Sequence, residues 1–78
     1  MASTFHESET GQAIIENTME AGTERLVVTL HPESGFSVDF EFHEGIEGNA
    51  LIASSGISID RAALQKLAQW LREQGALD

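Results

Sequence analysis

Along residues 36–43, Phe-Ser-Val-Asp-Phe-Glu-Phe-His, apolar and polar side chains alternate without interruption. A period of two places one set on each side of an extended chain, so the stretch predicts a β-strand with one buried and one wet face. Upstream, Arg25-Leu26-Val27-Val28-Thr29-Leu30-His31 is rich in β-branched residues and ends at the turn chemistry of Pro32-Glu33-Ser34-Gly35. The two strands predict a hairpin. Matching their apolar faces sets Leu30 opposite Phe36, Val28 opposite Val38 and Leu26 opposite Phe40. On the other face Thr29 then meets Ser37, Val27 meets Asp39, and Arg25 meets Glu41.

The flanking pattern is weaker. Residues 1–11 have no apolar period and read as a flexible N-terminal segment. In 12–20, Ile14, Ile15, Thr18 and Met19 suit a helix stripe, whereas Ile14-Ile15 ahead of Asn17-Thr18 suits a strand. The turn-like Glu20-Ala21-Gly22-Thr23 favours the strand. A second turn region, Glu44-Gly45-Ile46-Glu47-Gly48-Asn49, leads into a short strand at residues 50–54, which Ser55-Gly56 breaks.

After Ile59 the period changes from 2 to 3.6. Asp60 suits a helix N-cap, its carboxylate accepting from a free backbone N–H of the first turn. Ile59 and Leu64 are placed as a hydrophobic staple. Leu64, Leu67, Ala68 and Leu71 form the apolar stripe, Ala63 and Trp70 widen it, and Gly75 supplies the stop. The expected fold is therefore α+β: an antiparallel meander of three to four strands (about 12–20, 24–31, 35–43 and 49–54) with one C-terminal helix (about 60–74) packed on one face. Residues 12–78 form one domain. Its expected core is Leu26, Val28, Leu30, Phe36, Val38, Phe40, Phe42, Ile52, Leu64, Leu67, Trp70 and Leu71.

Charge changes the picture most. Thirteen acids face four bases, a formal net charge of −9. Residues 1–60 hold eleven of the acids and one base, Arg25, whereas residues 61–78 hold two acids and three bases. An acidic body repels nucleic-acid phosphate and anionic lipid, both of which are bound through Lys and Arg. It attracts a basic protein surface and speeds encounter with it. Acidity also serves solubility alone. Without cysteine there is no disulfide and no thiolate metal site. No apolar run approaches the ~20 residues of a membrane span, and no charged-then-apolar leader opens the chain. A cytoplasmic protein is expected.

Candidate chemistry is sparse. Catalysis through a hydroxyl needs a base within hydrogen-bond reach and a third group to orient it. His6 falls in the N-terminal segment, and His31 and His43 stand at strand ends. His31, His43, Glu44 and Glu47 are possible metal ligands but follow no fixed-spacing motif. Before the helix, Ser54-Ser55-Gly56 is no phosphate cradle, because Asp60 stands where phosphate would sit. No enzymatic activity, cofactor or metal is expected.

Surface composition points to protein contact. On the outer sheet face, Val27, with Ile14 and Leu51, lies among Glu16, Asp39 and Glu41, an apolar spot rimmed by charge. The expected partner-binding set is Glu16, Val27, Asp39, Glu41, Glu44 and Glu47. The leading reading is a small, acidic, non-catalytic protein-binding module. In its sharper form it is an inhibitor or nucleic-acid mimic, a phage- or mobile-element-type antagonist on a basic surface of a nucleic-acid-handling protein. The alternative is a homodimeric structural, accessory or chaperone-like subunit.

Overall fold

The computed structural model describes residues 2–20, 22–45 and 51–78, with the backbone alone described for 51–54. In chain order the elements are β1 (Ser3–Glu7), β2 (Ala13–Met19), β3 (Gly22–His31), a 3₁₀ turn (Pro32–Ser34), β4 (Ser37–Gly45), β5 (Leu51–Ile59) and α1 (Arg61–Glu73). The strands form one five-stranded antiparallel sheet in the order β1-β2-β3-β4-β5. The meander and C-terminal helix are as the pattern predicts, with one strand more. The stretch 12–20 holds a strand, as expected, at Ala13–Met19.

The added strand comes from the segment expected to be flexible. Ser8-Glu9-Thr10-Gly11 closes a tight turn: the Gly11 N–H donates to the Ser8 carbonyl at 3.0 Å, and the Ser8 N–H donates to the Gln12 carbonyl at 2.8 Å. Gly11, at φ 83°, supplies the left-handed backbone this turn requires. Residues 3–7 thereby pair with β2 along their whole length.

The β3–β4 hairpin corrects the predicted register. Leu30 lies opposite Val38, Val28 opposite Phe40 and Leu26 opposite Phe42, while Thr29 faces Asp39, Val27 faces Glu41, and Arg25 faces His43. Every pair has moved by two residues. The cause is the connection: Gly35 and Phe36 both take positive φ, 70° and 61°, and the Phe36 N–H donates to the His31 carbonyl at 3.0 Å. Phe36 therefore belongs to the loop, and pairing begins at His31 opposite Ser37. A shift of two preserves which face each side chain occupies, so the apolar and polar faces stand as predicted.

β5 also differs, running through Ser55-Gly56 to Ile59. Gly56 lies opposite Glu41, and a Cβ there would come 3.0 Å from the Phe40 carbonyl oxygen. The missing side chain allows close strand approach rather than breaking the strand. α1 begins as expected: Asp60 Oδ1 accepts from the Ala63 N–H at 2.8 Å. Gly75, at φ 84°, follows its last turn. Among the described residues no helix is long and apolar enough to cross a membrane.

The core is much smaller than predicted. Among the described residues only Val38, 1% exposed, and Val27, 9% exposed, are buried apolar side chains. Leu30, Phe36, Phe42, Leu67 and Trp70 are exposed, and Ile52 lies outside the described side chains. The reason is placement. α1 leaves β5 at Ile59, opposite Val38, and touches the sheet along β4. It covers one corner of the apolar face, while β1, β2 and the far half of β3 have no helix over them.

Candidate functional site

Alternation sends His6, Ile14, Glu16, Arg25, Val27, Thr29, His31, Asp39, Glu41, His43, Gly56 and Ser58 to the polar face, in cross-strand rows. In one row Glu16 faces Arg25, whose Nη2 and Nε donate to Glu16 Oε2 at 2.8 and 3.1 Å. His6 Nδ1 approaches the other Glu16 oxygen at 3.9 Å. His43 Nε2 lies 3.3 Å from Glu41 Oε2. All three histidines thus sit beside carboxylates on one face.

Asp39 is the most constrained of these acids. Ser58, directly across β5, donates its hydroxyl to Asp39 Oδ1. His31, diagonally across β3, places Nε2 2.8 Å from Asp39 Oδ2, and its Nδ1 lies 3.2 Å from Glu33 Oε1. Both ring nitrogens meet a carboxylate, an arrangement satisfied by the doubly protonated imidazolium. The bond to Asp39, then that to Glu33, raises the His31 pKa above its ordinary value. The Ser58 hydroxyl, then His31, lowers that of Asp39. The order of groups also limits the chemistry. Here the carboxylate joins hydroxyl and imidazole, so His31 is not placed to take a proton from Ser58. What the cluster does is hold Asp39 charged and fixed in direction.

On β5, at the edge of this face, Gly56 carries no side chain. The gap forms a shallow depression of ≈ 190 Å³ lined by Asp39, Phe40, Glu41, Gly56, Ile57 and Ser58. Asp39 and Glu41, two residues apart on β4, stand about 7 Å apart along the strand. The result is a notch with both acids along its β4 side.

The structure brings Glu16, Asp39 and Glu41 of the predicted set together on one face. It separates the others. Val27 does not form a surface spot: between Ile14 and Glu41 in its row it is buried. Glu44 points to the opposite face, because its position on β4 is even where those of Asp39 and Glu41 are odd. Glu47 lies outside the described residues. His31, Ser58 and Gly56 were not in the set. The register hid them, since pairing Val27 with Asp39 removes Asp39 from reach of His31, and ending β5 early removes Ser58 from the sheet. Among the described residues no group of three or more potential ligands converges on a metal position. No protein-family model matches the chain, and neither curated proteins nor solved structures give a significant match.

Proposed function

We propose that the protein is a small, acidic, non-catalytic binding module whose polar sheet face engages a basic surface of a nucleic-acid-handling protein, as an inhibitor or nucleic-acid mimic acting in the cytoplasm. The observation that carries this reading is the notch over Gly56, lined by Asp39 and Glu41. A partner's Lys or Arg side chain entering it meets two carboxylates and the Ser58 hydroxyl. Asp39 is already oriented by Ser58 and His31, so little freedom is lost on binding. Carboxylates spaced by two strand residues are separated by a distance similar to that of successive phosphates along a nucleic-acid strand. The net charge of −9 adds long-range steering toward a basic target.

The test is capture from host lysate by the wild-type protein beside an Asp39→Lys/Glu41→Lys variant. The proposal expects the wild type to retain a basic nucleic-acid-binding protein, to release it as salt rises, and to lose it to competing DNA or RNA. The variant should retain none. Capture indifferent to both charge reversal and competing nucleic acid contradicts the proposal.

A further inference from the structure

The face opposite the notch is apolar and largely uncovered. By register it carries Phe5, Ile15, Leu26, Val28, Phe40 and Ile57 among others. Phe5 is 69% exposed and Ile57 65%, and on α1 Trp70 is 54% exposed. The sheet is also concave here: a depression of ≈ 380 Å³ is lined by Phe5, Glu7, Gly11, Ala13, Val28 and Leu30.

We infer that this face is the interface of a homodimer, in which a second copy of the chain lays its own apolar sheet face and the Leu67–Trp70 flank of α1 against the first. Three observations identify the occupant. The first is area. The chain exposes 5947 Å². A folded monomer of its mass exposes only about 4,700 Å². The excess of about 1,300 Å² exceeds the ~800 Å² that each partner contributes to a standard stable interface. Its radius of gyration, 14.2 Å, likewise exceeds the ~11.5 Å expected of a compact chain of this length.

The second observation is dependence. Among the described residues only two apolar side chains are buried, and no disulfide staples the chain, so the described sheet and helix gain little from their own packing. A chain that needs a partner in order to fold needs one present whenever it is made, and a second copy meets that condition. The third is charge. Two chains of −9 repel, so they join best through surface that carries little charge. On this face Glu7, Glu24 and Glu44 lie toward strand ends, leaving the middle neutral. The polar face, with Glu16, Asp39 and Glu41, remains outward on both copies. A two-fold axis pairing the same patch on each subunit closes the assembly at two.

The experiment is sedimentation equilibrium on the wild-type chain, with Trp70 emission followed as the protein is diluted from about 100 µM to 10 nM. Trp70 is the only tryptophan, so its emission reports on the α1 flank alone. The inference expects a mass twice the 8.5 kDa of one chain, blue-shifted emission at high concentration, and a red shift as the dimer dissociates. Phe5→Glu replaces a side chain already exposed in the single chain and remote from the notch, and should weaken association at least about 100-fold. Asp39→Lys/Glu41→Lys, on the other face, should not weaken it and, by lowering the net charge of each chain, should if anything strengthen it. A folded 8.5 kDa species at every concentration overturns the inference, as does a Phe5→Glu variant that dimerises like wild type. Neither result bears on capture through the notch.

Discussion

At the scale of single residues, the polar face is organised by hydrogen bonds rather than by acidity alone. His31 is held by Asp39 and Glu33, and Asp39 by Ser58 and His31. The pH consequences have opposite signs. His31, with its pKa raised by the fold, contributes stability that is full below its unfolded value of about 6.5 and is lost as pH rises through the folded value. Asp39, with its pKa lowered, contributes stability present above about 3.9 and lost as pH falls through the folded value. The cluster is therefore firmest between about pH 4 and 6.5. An NMR titration of the imidazole nitrogens should place the His31 midpoint above the ordinary value, and Asp39→Asn should lower it more than Glu33→Gln. A His31 midpoint indifferent to Asp39→Asn contradicts the geometry.

At the scale of elements, local chemistry was readable and connections were not. Strict alternation in 36–43 identified β4 and both of its faces, and Asp60 marked the start of α1. The cap carries a direct prediction. Asp60→Ala leaves the Ala63 N–H without its acceptor and should cost about 1 kcal/mol. That is a fall of roughly 4–8 °C in thermal midpoint for a domain of this size, measured at fixed protein concentration. An unchanged midpoint would show that the bond contributes nothing. The register was out of reach because it depends on Phe36 adopting a left-handed backbone, which a bulky residue rarely does and which costs of order 1–3 kcal/mol. The Arg61 guanidinium, 5.9 Å from the centre of the Phe36 ring, partly offsets that cost. β1 was legible only through its turn. Ser8-Glu9-Thr10-Gly11 is ordinary turn chemistry, but a five-residue edge strand of Ser, Thr, Phe, His and Glu has too little apolar pattern to announce itself.

For the whole molecule, alternation correctly predicted an apolar face but could not say how much of it one helix would cover. A 13-residue α1 entering at the Ile59 end shields Val38 and leaves the rest of a five-stranded sheet open. The candidate site was half legible for a similar reason. Glu16, Asp39 and Glu41 follow from strand parity, whereas the Gly56 notch follows from β5 continuing through a residue that reads as a strand breaker. Under the two proposals the faces divide the work: the apolar one would meet a second copy, and the acidic one a basic target.

The central claim is that a basic side chain enters the notch beside Asp39 and Glu41. It is tested most directly by titrating the ¹⁵N-labelled protein with a short Arg- and Lys-rich peptide and following the backbone amides. The account predicts the largest shifts at Asp39, Glu41, Gly56 and Ser58, weakening as salt rises and abolished by Asp39→Asn/Glu41→Gln, which removes the charge of both acids. Shifts spread evenly over the acidic surface, or centred on α1 and the apolar face, would contradict it.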